Sequence, residues 1–116
     1  VVAPTGVEVD VQIVRGVPPV DNDEESVRIL DDAARAALGP ASLHLTEQSL
    51  GGEDFAWYLT ETRGAMARLG TRTPGGPDYD LHRPDAVFDE DAIGVGVRFL
   101  VQAAVIAGRR WEDRPH

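Results

Sequence analysis

The stretch DYDLHRPDAVFDEDA, residues 78–92, places six carboxylates around one histidine, His82. Imidazole is the commonest nitrogen ligand for zinc and related metals, and a loop stiffened by proline can hold it in one orientation. Neighbouring carboxylates can orient the second ring nitrogen. His82 is therefore a candidate metal ligand, although a catalytic metal needs about three protein ligands and the chain has no HExxH motif.

Two other interpretations of this stretch stay open. His82 can be an ordinary solvated residue of an acidic loop, which is the simpler interpretation of the local sequence. Alternatively, Asp78, Asp80 and Asp85 can surround a hard cation through their oxygens, although the regular spacing and the turn glycine of an EF-hand are missing.

A second candidate site is the glycine pair Gly51-Gly52, which precedes Glu53-Asp54-Phe55. Two glycines before a helix let the backbone approach a ligand closely, and the first N–H groups of the helix can receive an anion such as a carboxylate. The alternative is that Glu53 and Asp54 only cap the helix. No GxSxG motif, cysteine or Walker loop is present, so the sequence indicates no nucleophile.

Composition narrows the class of protein. The 116 residues, 42% of them apolar and none of them cysteine, fit one globular domain without disulfides, which is compatible with the cytoplasm. The net charge of −9 argues against a nucleic-acid partner. Residues 1–6 lack the features of a secretion signal. The longest apolar run, residues 92–108, is short for a bilayer span, so we predict a buried helix and no membrane partner.

Hydrophobic periodicity predicts the elements that must position these residues. Alternation over Gly6–Arg15 predicts a strand with one wet face, and Pro18-Pro19 predicts an extended joint after it. Asn22 or Asp23 can cap an amphipathic helix that Gly39-Pro40 ends. The remaining predictions are short strands at 43–46 and 65–69, a helix that starts near 53, a loop at 70–88 and a last helix. The last helix begins at 89–91 and ends at Gly108. Its glycines, Gly94 and Gly96, predict another backbone packed close against it. This order predicts an α/β layer.

The motifs RGVPPVDND, GGEDFAWYL, GAMARLGTR and DLHRPDAVFDEDA occur in this order, and a closing apolar helix follows them. Together they resemble the C-terminal third of the metal-dependent amidohydrolases that include hippurate hydrolase, N-acyl-amino-acid hydrolases and indole-acetyl-amino-acid hydrolases, relatives of aminoacylase and carboxypeptidase G. The resemblance runs from about Gly6 to Ala107. Several motifs in the right order are more specific than any one of them.

The resemblance implies a fold and a site. Residues 17–116 would form the C-terminal half of a two-metal aminopeptidase-like α/β catalytic domain, and residues 1–16 the last strand of a lid and dimerisation domain. His82 would bind one of two divalent ions (Zn, Mn, Co or Ni), and Gly51, Gly52 and Glu53 would lie near the substrate. The resemblance further implies an N-acyl amino acid substrate and a cytoplasmic homodimer.

The sequence departs from the family pattern in two ways, and each changes what we expect of the site. Three residues separate Pro84 from Phe88, where family members usually have one, so we expect the chain after His82 to follow a different path. The family's other metal ligands and its catalytic glutamate lie in an N-terminal part that is missing here, so we assign no catalytic residue and expect no hydrolysis by this chain alone. The competing interpretation is a non-catalytic acidic α/β module that pairs with another chain through its edge strand, Val7–Val14.

Overall fold

The computed structural model describes Gly6 and residues 8–112. The elements in chain order are α1 (Glu24–Leu38), a short 3₁₀ helix (Pro40–Ser42), α2 (Phe55–Leu59) and α3 (Asp91–Glu112). Residues 1–5 and 7 of the predicted lid segment 1–16, and residues 113–116, lie outside the described residues.

Helix α1 has the caps that its sequence predicts. The Asp23 carboxylate accepts hydrogen bonds from the Ser26 backbone N–H at 2.9 Å and from the Ser26 hydroxyl at 3.0 Å. Gly39 ends the helix with a φ of 88° and a ψ of 163°, a positive-φ conformation that glycine adopts without a steric penalty. Both helix boundaries are therefore confirmed.

Helix α3 begins as predicted but ends later. The Asp91 N–H donates to the Asp89 side chain at 3.0 Å, so an acidic residue caps the helix. The predicted end at Gly108 is wrong, because the helix continues to Glu112. Arg109 and Arg110 in the last turn complement the helix dipole, and Arg110 forms an ion pair with Asp32 of α1.

Helices α1 and α3 pack against each other, yet the buried core of the described residues consists of small side chains only. The buried apolar residues are all alanines: Ala33, Ala34, Ala56, Ala92 and Ala103. Small side chains let two helices approach closely, but they remove little apolar surface from water. This packing therefore supplies much less burial than an ordinary domain core.

The prediction that the last helix is buried is wrong for this chain. Its large apolar side chains are mostly exposed, including Ile93, Val97, Leu100 and Val101, and Leu100 is 63% exposed. The described residues provide no layer that covers this face. A Cβ at Gly96 would lie 3.2 Å from Cδ2 of Leu69, so the close neighbour there is a side chain and not the backbone that we expected.

By length and composition α3 could also cross a membrane. It has 22 residues, and its most apolar 18-residue window has a mean hydropathy of 1.5, so our view that this run is too short was wrong. Core helices of soluble proteins pass the same test, but they are mostly buried, whereas only 11% of this window is buried among the described residues. Helix α3 does pack along α1 and forms an ion pair with it. The absence of a membrane partner stays a prediction.

The predicted strands have no partners in the part of the chain that the structure describes. Residues 8–15, 43–46 and 65–69 are neither helical nor paired in a β-ladder. Val11 and Ile13 are 70% and 87% exposed. Because a strand is defined by its pairing, the α/β sheet and the lid strand stay predictions.

The overall shape is extended. The radius of gyration is 19.8 Å and the principal dimensions are 63 × 48 × 21 Å, whereas a compact domain of about 100 residues has a radius of about 13 Å. The described residues therefore do not close around a core of their own.

Candidate functional site

The candidate site lies in the long connection between Leu69 and α3. Its two ends are joined, because the Asp89 N–H donates a hydrogen bond of 2.7 Å to the Thr71 carbonyl oxygen. Within it, Arg72 forms an ion pair with Asp78 at 2.9 Å. A long loop with its ends held together is the form that many functional loops take. The predicted loop at 70–88 is confirmed.

His82 is exposed near the middle of this loop. Its φ is 69°, and among the described residues it is the only non-glycine residue with a positive φ. Histidine adopts this left-handed conformation more often than most residues do, and residues held in it are frequent at functional sites. The imidazole makes no hydrogen bond or ion pair with any described residue, so both ring nitrogens are available to a ligand.

A hydrogen-bonded turn follows His82 directly. The Ala86 N–H donates to the Arg83 carbonyl oxygen at 3.3 Å, and Pro84 occupies the second position of this four-residue turn. The Arg83 guanidinium donates two hydrogen bonds to the Asp85 carboxylate, from Nε to Oδ1 at 2.8 Å and from Nη2 to Oδ2 at 2.7 Å. This hydrogen-bonded pairing lowers the pKa of Asp85 and raises that of Arg83.

Asp85 and Ala86, two of the three residues between Pro84 and Phe88, belong to this turn. We expected the chain to follow a different path from the family here, which stays a prediction, and the pairing of Arg83 with Asp85 was not predicted. A signal for the turn was present, because proline presets the backbone of the second turn position and aspartate is common in turns. No long-range contact is needed to form it.

The alternative cation site formed by acidic residues is not supported. Asp78 is paired with Arg72, and Asp85 is paired with Arg83. Across Gly6 and residues 8–112, no three histidine or acidic side chains gather in a group that could hold a metal ion. The donor set of the described chain therefore fits one ligand of a metal centre, the His82 imidazole, and not a complete centre.

The glycine pair lies in an exposed segment before α2. The Gly51 N–H donates to the Ser49 hydroxyl at 3.1 Å, and a Cβ at Gly52 would lie 3.9 Å from the Val17 side chain. A Glu53 carboxylate oxygen accepts from the Phe55 N–H at 3.3 Å, which is the helix-start role that we weighed as the alternative. The substrate-binding role of Gly51, Gly52 and Glu53 stays a prediction.

The structure does not join the two candidate sites through a direct interaction. None of the hydrogen bonds or ion pairs within the described ranges links His82 to Gly51, Gly52 or Glu53. Any ligand that they share would have to bridge them.

Comparison of the sequence with known proteins identifies the family to which the chain belongs. Residues 2–105 match the sequence profile described as Peptidase family M20/M25/M40. The chain is 44% identical over 101 residues to a probable hydrolase of Synechocystis, covering 85% of this chain and 26% of that protein. It is 38% identical over 93 residues to N-acetyl-L-cysteine deacetylase of Bacillus subtilis, covering 77% of this chain and 20% of the deacetylase. No solved structure matches the chain.

One relative has a name of a different kind. The chain is 46% identical over 99 residues to a putative glutamate–cysteine ligase of Rhodococcus jostii, covering 85% of this chain but only 12% of that protein. Most of the sequence of the protein named as a ligase is therefore not matched by this chain. Across these three relatives the chain spans between 12% and 26% of their length.

Proposed function

Because the chain belongs to the M20/M25/M40 peptidase family, we propose that it is the C-terminal portion of a longer metal-dependent amidohydrolase. The substrate class that we propose is an N-acyl amino acid or a related small amide. Relatives of this chain are named N-acetyl-L-cysteine deacetylase, N-acetyldiaminopimelate deacetylase and IAA-amino acid hydrolase. Those names denote deacetylation of N-acetyl compounds and hydrolysis of an IAA-amino acid.

The observation that carries the proposal is the state of His82. Its imidazole is exposed, makes no hydrogen bond or ion pair with the described residues, and sits on a backbone in the left-handed region. A side chain kept free in this way at a constrained position suits a ligand that is completed by other groups. His82 would coordinate through one ring nitrogen in its neutral form.

When bound, a pair of divalent ions, Zn, Mn, Co or Ni, would polarise the amide carbonyl and lower the pKa of a water molecule. The described residues would supply one ligand to that centre. The glycine pair Gly51-Gly52 and Glu53 would leave room for the substrate backbone beside α2. The general base would come from outside this chain, so the chain alone would not complete the reaction.

The uncovered apolar surface supports the view that more polypeptide packs here. Large apolar side chains are exposed along α3 and along residues 9–14, while the buried side chains among the described residues are all alanines. Surfaces of this kind normally mark contact with other protein. We propose that the longer enzyme covers α3 with the rest of its catalytic domain, that residues 1–16 belong to the lid through which two subunits associate, and that the enzyme is cytoplasmic.

The test uses the longer enzyme, purified and loaded with Mn²⁺ or Zn²⁺. We expect it to hydrolyse N-acetyl amino acids, with activity lost on chelation and restored by the same ion. A dipeptide and a glutamate-plus-cysteine ligation mixture are the comparison substrates. The proposal is contradicted if the metal-loaded enzyme releases no acetate from any N-acetyl amino acid while another substrate class turns over.

A further inference from the structure

We propose that Arg83 and Asp85 are positioning residues that hold His82 in the conformation in which it binds metal. This inference rests on the proposed function of His82 and adds the groups that orient it. Neither side chain would touch the metal, because the carboxylate oxygens of Asp85 are both engaged by Arg83, at 2.8 and 2.7 Å.

The geometry places the pair where it can control His82. Arg83 is the next residue in the chain after His82, and the turn begins at Arg83. The Arg83–Asp85 ion pair and the hydrogen bond from the Ala86 N–H to the Arg83 carbonyl oxygen close this turn. The backbone on the C-terminal side of His82 therefore has a fixed direction. Beyond this turn, the hydrogen bond from the Asp89 N–H to the Thr71 carbonyl oxygen holds the two ends of the loop together.

A fixed turn matters because His82 occupies an unusual backbone conformation. A φ of 69° is a minority state for a residue other than glycine, so a loose loop would spend much of its time elsewhere. A ligand that is already ordered loses less conformational freedom when it binds. The pair also keeps Asp85 from hydrogen bonding to the imidazole or competing for the ion.

The pair is exposed, with side-chain accessibilities of 51% and 58%, so its effect should be moderate. Exposed pairs contribute little unless their geometry is good, and a two-armed arginine–carboxylate pair is the favourable case. We expect Asp85→Asn and Arg83→Gln each to weaken metal binding by about fivefold. The double variant should be no worse than either single variant, because both remove the same interaction.

The experiment measures zinc affinity of the longer enzyme by competition with a chromogenic chelator, alongside its melting temperature without metal. The matched control is Asp31→Asn, which breaks another two-armed arginine–aspartate pair, Asp31 with Arg35 on α1. The exchanged variant, Arg83→Asp with Asp85→Arg, tests whether the interaction and not either residue is required. We expect the control to keep full affinity and the exchanged variant to regain most of it.

The outcomes separate this inference from the proposed function. If His82→Ala lowers zinc affinity but Asp85→Asn and Arg83→Gln do not, the positioning role is overturned and the metal role of His82 stands. If His82→Ala leaves affinity unchanged, the proposed function of His82 itself fails. If Asp31→Asn weakens zinc binding as much as Asp85→Asn does, the effect is a general loss of stability, and the positioning role is rejected.

Discussion

The side-chain amide of Asn22 pairs with both backbone groups of Met66. The Met66 N–H donates to Oδ1 of Asn22 at 2.9 Å, and Nδ2 of Asn22 donates to the Met66 carbonyl oxygen at 3.3 Å. Next to it, the Asp23 N–H donates to the Gly64 carbonyl oxygen at 2.9 Å. The segment that leads to the candidate site is thereby attached to the start of α1.

Loss of the Asn22 amide should loosen this attachment. Asn22→Ala removes two hydrogen bonds at an exposed position, and each is worth about 1 kcal/mol at most. We expect faster amide hydrogen exchange in peptides that contain Met66, measured by mass spectrometry on the longer enzyme. Gln12→Ala, which removes only an exposed side-chain contact with Asp10 at 3.4 Å, is the control. Unchanged exchange at Met66 would show that the amide is dispensable.

The cap of α1 should give stability a pH dependence. Hydrogen bonds from the Ser26 N–H and hydroxyl, and the nearby Arg63 guanidinium, hold the pKa of Asp23 below its usual value. A carboxyl whose pKa is lower in the folded state stabilises the fold above its unfolded pKa of about 3.9, and this contribution is lost as the pH falls through the lower, folded value.

In the Asp23→Asn variant, the stability of the fold should therefore decrease less steeply as the pH falls. Asparagine still caps a helix but does not titrate. We expect the melting temperatures of the wild type and the variant to converge as the pH is lowered from 6 to about 3. A constant difference across that range would show that the Asp23 charge does not contribute.

The exposed face of α3 gives a prediction about packing in the longer enzyme. If Leu100 is buried there, Leu100→Ala should cost about 2 to 5 kcal/mol. If it is as exposed as in this chain, at 63%, the change should stay within about 0.5 kcal/mol. We expect the larger value from denaturant unfolding. Arg109→Ala, at an exposed position of the same helix, should fall in the smaller range.

The isolated chain should be inactive. It supplies one candidate ligand, and its described part contains no group of three residues able to hold an ion. A catalytic metal needs about three protein ligands. Residues 1–116 with added Mn²⁺ or Zn²⁺ should therefore release no acetate from N-acetyl amino acids above the rate in buffer. Turnover by this chain alone would refute the assignment of the remaining ligands to other polypeptide.

Local signals in the sequence predicted local structure well. The boundaries of α1 follow from Asp23 and Gly39, whose roles depend on residues within one helical turn. The long loop follows from its glycines and prolines. The continuation of α3 past Gly108 was missed because it depends partly on Arg110, whose partner Asp32 lies 78 positions away.

Features that depend on distant or additional polypeptide were not predictable. The exposure of α3 reflects which residues are available to cover it, and hydrophobicity alone does not show this. Strand pairing at 8–15 likewise requires a neighbour that the described residues do not provide. At the candidate site, the family resemblance selected His82, and its metal-binding role stays a prediction. Its left-handed backbone and the hydrogen-bonded pair of Arg83 with Asp85 became visible only in the structure.

If His82 is a metal ligand of the longer enzyme, replacing it must lower the amount of bound metal. Metal bound per subunit should be measured by mass spectrometry after dialysis for the wild type, His82→Ala and His44→Ala. His44 is also exposed, and it lies outside the loop. We expect His82→Ala to lose bound metal and His44→Ala to keep the wild-type content. Equal metal content and equal metal affinity in all three proteins would contradict it.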